Sequence, residues 1–165
     1  MTRILMVCTG NICRSPMAAG LLRARLRKKR ASGEWKVLSA GVRAPEGRPA
    51  SAYAMAEMAE RDIDISGHRS QGVTEELMGE ADLVLAMTRH HAEALEAAFP
   101  GQADKVYLLS EMVGKRYDIS DPYGGTRLEY AYIAQELEDL IEEGYDRILA
   151  LACGDGAADG PSKAR

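Results

Sequence analysis

A doubly wound α/β fold, a single domain with a four-stranded parallel sheet flanked by helices, is what this sequence predicts. Three observations lead there. Short apolar runs alternate with longer segments of helical period along the chain, and glycine-rich or polar turns separate them. The chain has 165 residues, of which 46% are apolar and 28% charged, enough for one packed core. The composition also narrows the function classes. With 21 basic and 25 acidic side chains the net charge is −4, which excludes a pervasively basic nucleic-acid binder. No apolar stretch approaches the ~18 residues a membrane span requires, so no membrane partner is expected. The first ten residues lack the layout of a secretory signal, and three cysteines cannot close a disulfide framework, so a cytoplasmic location is expected.

Taken in order, residues 4–8 form an apolar run that ends in Thr9-Gly10-Asn11, a buried strand entering a turn. Pro16 opens a helix, with Met17, Leu21, Leu22 and Leu26 on its apolar stripe. Arg23, Arg25, Arg27, Lys28, Lys29 and Arg30 crowd its far end, where they complement the helix dipole. Residues 37–40 are the second strand, followed by a loop carrying Pro45, Gly47 and Pro49. Residues 51–61 are a helix whose methionines fill the core. A short helix over 74–79, a strand over 82–87, a helix over 88–98 and a strand over 105–110 come next. Thr126 and Glu129 fit a capping box. Behind it Leu128, Ile133, Leu137, Leu140 and Ile141 make an amphipathic helix. Gly144 either ends that helix or interrupts it, because Tyr145, Ile148, Leu149 and Ala152 keep the period. Residues 1–153 form the expected domain, and 154–165, rich in Gly, Asp, Ala and Lys, a frayed tail.

Ligands of doubly wound sheets bind beyond the carboxyl ends of the strands. That rule draws the eye to Cys8-Thr9-Gly10-Asn11-Ile12-Cys13-Arg14-Ser15, between a strand and a helix N-terminus. A loop of this length can curl its backbone N–H groups onto one point, and the helix adds unpaired donors and a positive dipole end. Gly10 and Asn11 are residue types that readily take positive φ. Arg14 offers a planar fork for two phosphate oxygens. A cysteine in such a field is disposed to ionise, which makes Cys8 a candidate nucleophile for in-line attack on phosphorus. Ser15 can hydrogen-bond the thiolate. The leaving group needs a proton donor, and Asp121 is the candidate, in Asp121-Pro122-Tyr123-Gly124-Gly125. Proline keeps Asp121 out of the helical region, and the glycines let that turn fold over a site. No metal or cofactor is called for, since Arg14 and backbone amides can neutralise a phosphate.

These residues resemble the low-molecular-weight protein tyrosine phosphatase family, whose signature is Cys, five residues, Arg, Ser near the N-terminus and Asp-Pro near the C-terminus. The resemblance reaches to about residue 145 and includes Ser39-Ala40-Gly41, His68 and the run from Ala81 to Met87. It implies phosphorylated proteins as substrates, a phosphocysteine on Cys8, phosphate binding by Arg14 and general acid catalysis by Asp121. It also implies a hydrogen-bond network of Asn11, Ser15, Ser39 and His68 that shapes the loop, with His68 a structural group. Cys13 lies five residues from the nucleophile, where a reversible disulfide with Cys8 after oxidation is open to it. The resemblance reads this second cysteine as protective. Cys153 reads as an apolar filler.

Two features bear on the substrate. Ile12 and Tyr123 are expected in the pocket wall, where together they would sandwich a flat ring and favour phosphotyrosine. Several segments, among them Cys8-Thr9-Gly10-Asn11 and Thr74-Glu75-Glu76-Leu77-Met78, look like the bacterial protein-arginine phosphatase branch. That branch characteristically carries Thr where this chain has Ile12. Other classes fit less well. The arsenate reductases of this fold need two further cysteines in mid-chain, and none lies between Cys13 and Cys153. A non-catalytic phosphate-binding module has no use for Asp121. A zinc site is disfavoured by the spacing of Cys8 and Cys13, and adjacent His90 and His91 cannot face one ion.

Overall fold

The computed structural model describes residues 1–155. Strands β1 (Thr2–Cys8), β2 (Trp35–Gly41), β3 (Leu83–Ala86) and β4 (Val106–Leu108) form one parallel sheet in the order β2-β1-β3-β4. The helices are α1 (Arg14–Lys28), α2 (Ala52–Ala59), α3 (Glu75–Glu80), α4 (Arg89–Ala98), α5 (Arg127–Glu143) and α6 (Tyr145–Ala152). Of the expected tail only Gly154 and Asp155 fall within the description; residues 156–165 lie outside it. Among the described residues no helix is long and apolar enough to cross a membrane.

The two-residue period of a strand sends alternate side chains to opposite faces, and both faces here are covered. Ile4, Met6 and Cys8 of β1, with Leu83 and Leu85 of β3, pack against Met17 and Leu22 of α1, Met58 of α2, Leu137 of α5 and Ile148 of α6. Leu5, Val7, Val84 and Ala86 turn the other way, onto Met78 of α3 and Leu95 of α4. Strands buried on both sides read as continuous apolar runs, and that is why they were legible. The edge strand β2 is closed off by side chains. Arg23 Nε donates to Val37 O (3.1 Å) and Gln71 Nε2 donates to Ser39 O (3.1 Å), while Gly41 bridges to Gly72.

Several expectations are adjusted. Helix α1 begins at Arg14, so Pro16 sits inside its first turn, where its missing N–H has no intrahelical partner to lose. The chain from Leu109 to Val113 after β4 is a 3-10 turn, and a second one spans Pro100–Lys105. Gly144 both ends α5 and starts α6. The capping box forms as expected: Glu129 N donates to Thr126 Oγ1 (3.2 Å) and Thr126 N to Glu129 Oε2 (2.8 Å). Leu128, however, is 79% exposed, because its place in the first turn of α5 points away from the stripe of Ile133 and Leu137. Cys153 is exposed rather than filling the core, since it caps α6 beyond the last packed turn. Of the basic cluster, Arg25 pairs with Glu142 and lies over the Tyr145 ring, which ties the end of α1 to α5 and α6.

Close contacts join the sheet to the loop that follows β1. After β2 the chain hydrogen-bonds back onto that loop, Val42 N to Cys8 O and Arg43 N to Thr9 O, both at 3.0 Å. Gly41 lies in the approach: a Cβ there would overlap Thr9 O and stand 2.9 Å from Ala44 Cβ and 3.0 Å from Asn11 N. We expect Gly41→Ala to lower stability by about 1–3 kcal/mol, the usual cost of overpacking, and to displace the loop. Gly67→Ala is the control, for a Cβ there meets nothing within 4 Å. Denaturant melts of the two variants check this, and equal effects would contradict it.

His91 is a second stability determinant. It lies in the first turn of α4, only 2% exposed, and burial together with the neighbouring Arg14 and His90 pushes its pKa from 6.5 down to about 4. The unfolded chain therefore binds more protons than the folded one between those values. Stability from the neutral ring is complete above pH 6.5 and is lost as the pH falls toward 4, by about 3 kcal/mol in all. The advantage of wild type over His91→Gln should shrink by this order across that window. Parallel stability–pH curves for the two proteins would refute it.

Candidate active site

The loop from Thr9 to Cys13 turns from β1 into α1, and its shape is set by side chains from distant parts of the chain. Asn11 takes a left-handed conformation (φ 58°), one that asparagine tolerates at little cost. Its side chain is fully buried and fully used. Nδ2 donates to Ser15 Oγ (2.8 Å) and to Ser39 Oγ (2.9 Å), and Oδ1 accepts from Gln71 N (2.9 Å). The Asn11 carbonyl faces His68 Nε2 at 2.7 Å. Burial and the neighbouring Arg23 and Arg69 charges hold the His68 pKa down, while the Asn11 carbonyl pulls the other way. Farther along, Ser51 N donates to Ile12 O (2.8 Å), fastening the loop to the start of α2. All four residues of the expected network, Asn11, Ser15, Ser39 and His68, are thus brought together. Gln71 belongs with them and was not foreseen, because it contributes mainly a backbone N–H.

Cys8 closes β1 with its thiol buried under this loop. Its Sγ lies 2.9 Å from Ser15 Oγ and accepts from Asn11 N at 3.3 Å. Arg14, in the first turn of α1, is 4% exposed. One terminal nitrogen donates to Ile119 O (2.8 Å); the other donates to Thr9 Oγ1 and approaches Asp121 Oδ2, each at 3.4 Å. Its buried Nε has no partner among the described residues. The guanidinium is therefore anchored by one end on the Ile119 carbonyl, and of its donors Nε alone is left unpaired among the described residues. The Ile119 carbonyl that anchors it was invisible in the sequence, since any residue type can supply it.

Asp121 comes from the turn before α5. Its Oδ1 accepts from Tyr123 N (3.1 Å), which fixes the carboxylate, and its side chain is about half exposed. Cys8, Thr9, Gly10, Ile12, Cys13, Arg14, Asp121 and Tyr123 line one cavity of about 270 Å³, with Pro45 and Arg48 completing the wall. Both expected pocket residues, Ile12 and Tyr123, are there; Tyr123 is largely exposed. Cys8 and Cys13 are both free thiols. Cys13 Sγ lies 3.1 Å from Tyr130 OH and 3.4 Å from Ser51 Oγ. Burial pushes the Cys13 thiol pKa up, and burial beside Cys13 pushes that of Tyr130 to about 12, so both groups hold their protons at neutral pH.

A buried thiol, a guanidinium with an unpaired Nε and a half-exposed carboxylate around one cavity form a set suited to a tetrahedral oxyanion. Comparison with known proteins agrees. Residues 3–149 match the model of the low molecular weight phosphotyrosine protein phosphatase family. The chain is 40% identical to a protein-arginine-phosphatase of Bacillus subtilis over 141 residues, 85% of this chain and 92% of that one. It is 41% identical over 152 residues to the protein named "Probable low molecular weight protein-tyrosine-phosphatase EpsP" of Ralstonia nicotianae, covering 90% and 97% of the two chains. A structure of the YwlE arginine phosphatase, a Cys-to-Ser mutant with a phosphorylated active-site serine, superposes with a TM-score of 0.83 at 38% identity, covering 89% of this chain and 95% of that one. The chain belongs to the low molecular weight phosphotyrosine protein phosphatase family.

Proposed function

We propose that this protein hydrolyses phosphotyrosine on protein substrates through a phosphocysteine formed on Cys8. One observation carries the reading: the Cys8 thiol, with Ser15 Oγ and Asn11 N on its sulfur, opens into the same cavity as the Arg14–Asp121 pair. The backbone amides from Thr9 to Ser15, the dipole of α1 and the Arg14 guanidinium hold the phosphoryl oxygens. The Cys8 thiolate attacks phosphorus as the bond to the leaving oxygen breaks, and Asp121 hands that oxygen its proton. Asp121, now a carboxylate, takes a proton from water, whose oxygen attacks the phosphocysteine. The P–S bond breaks, inorganic phosphate departs, and the sulfur electron pair returns to Cys8, stabilised by the Ser15 hydroxyl. The phosphorylated serine in the YwlE mutant supports such a covalent step. The catalytic unit in this reading is residues 1–153.

Ile12 and Tyr123 favour a tyrosyl leaving group, because an apolar side chain and an aromatic ring across a cavity suit a flat, weakly polar guest. A second reading, phosphoarginine on proteins, is favoured by the 40% identity to the Bacillus subtilis protein-arginine-phosphatase. The deciding experiment measures kcat/KM for matched phosphotyrosine and phosphoarginine peptides on wild type and Ile12→Thr. Wild type should prefer phosphotyrosine, and the variant should move the ratio toward phosphoarginine by about tenfold or more. A wild type that prefers phosphoarginine overturns the assignment.

Asp121→Ala should slow phosphotyrosine hydrolysis by about 10²–10⁴-fold. It should slow para-nitrophenyl phosphate far less, because nitrophenolate leaves without a proton. Equal losses on the two substrates, compared in single-turnover experiments, would remove Asp121 from the role of acid.

A further inference from the structure

Thr9 follows the nucleophile directly, and its side chain makes contacts that loop geometry does not require. Its Oγ1 lies 2.7 Å from His91 Nε2 and accepts from Arg14 at 3.4 Å. His91 reaches it from the first turn of α4, 82 residues along the chain and on the opposite face of the sheet from α1. The ring is buried, and its second nitrogen, Nδ1, is also buried without a partner among the described residues. Arg14 and His90 oppose a positive charge on the ring; Asp118 and Asp121 favour one, but burial outweighs them and the imidazole is neutral at working pH.

A neutral imidazole has two tautomers. With the proton on Nδ1, a buried N–H points at no acceptor, a situation folded proteins rarely tolerate. With the proton on Nε2, the ring donates to Thr9 Oγ1, and Nδ1 keeps only an unused lone pair. The second tautomer leaves the lesser deficit. Thr9 Oγ1 then receives two N–H donors, from His91 and from Arg14, and both of its lone pairs are engaged. Its own hydrogen has the cavity left to it, and Thr9 lines that cavity.

We propose that the Thr9 hydroxyl is a side-chain donor to a phosphoryl oxygen, and that His91 is the positioning residue that aims it. The inference rests on the phosphatase reading above and adds a contact beyond the loop amides. Negative charge gathering on the phosphoryl oxygen strengthens the chain from His91 through Thr9, because each donor polarises the next. No proton is transferred; the pair supplies direction and polarisation.

The test uses Thr9→Val, which keeps the shape and loses the hydroxyl, and Thr9→Ser, which keeps it. His91→Leu removes the donor, and His91→Gln retains an N–H near the position of Nε2. Inorganic phosphate binding is read by calorimetry, independently of turnover, alongside kcat/KM for para-nitrophenyl phosphate. Thr9→Val and His91→Leu should each weaken phosphate binding and lower kcat/KM by about tenfold to a hundredfold, the range for a hydrogen bond to a charged group. Thr9→Ser and His91→Gln should stay within about threefold of wild type by the same measure. The double variant Thr9→Val/His91→Leu should lose no more than Thr9→Val alone, since both act through one hydroxyl. Wild-type phosphate affinity in Thr9→Val, or losses that multiply in the double variant, would overturn the proposal. Should His91→Leu fail to melt cooperatively, the Thr9 pair and His91→Gln decide it. If wild type binds phosphate through Thr9 but hydrolyses neither monoester nor phosphopeptide, the phosphatase reading fails and the contact stands.

Discussion

The left-handed turn at Asn11, locked by its own side chain, is the constraint on which the rest of the site depends. A short loop between a strand and a helix has little to hold it except what lies behind it. Asn11 supplies that backing in full: two donors spent on Ser15 and Ser39, one acceptor spent on Gln71, and its carbonyl met by His68. Because the amide is buried and fully satisfied, opening the loop would strand several polar groups at once. Ser15 links this scaffold to the sulfur of Cys8, so shape and reactivity share one hydroxyl.

The two halves of the chemistry are built differently. The loop around Cys8 is buried and fixed to β1, β2 and α1, whereas the Asp121 carboxylate rides on a half-exposed turn that touches that loop through Arg14. Such a division suits a reaction in which one partner must stay still while the other meets substrate, solvent and product in succession. Arg14 joins the halves: one nitrogen is anchored on the Ile119 carbonyl, just two residues before Asp121. Any oxyanion that engages that guanidinium therefore bears directly on the stretch of chain that carries Asp121.

How much of this was legible follows from where the information lies. The segment from Cys8 to Ser15 is contiguous, and its residue types each carry a stated chemistry, so the loop and the thiol and guanidinium that meet at one cavity could be read from the sequence. Asp121 could be read because proline and two glycines mark its turn. The doubly covered sheet declared itself through continuous apolar runs. Partners that act through the backbone left no trace: Gln71 gives an N–H across 60 residues and Ile119 a carbonyl across 105. His91 and Tyr130 were hidden differently, for their partners, Thr9 and Cys13, lie 82 and 117 residues away and only the fold joins them. Leu128 and Cys153 were misjudged because apolar character says nothing about which side of a helix end is covered.

The guanidinium of Arg23 laid against Val37 at the rim of the sheet has a consequence beyond catalysis. An outermost parallel strand as long as β2 offers a ready template on which a foreign chain could stack ribbon upon ribbon. Here a charged side chain occupies the carbonyl such an invader would need, and Gln71 occupies the next. The cavity at one end of that strand thus stays open to a guest, while the border of the strand is closed to a pairing chain.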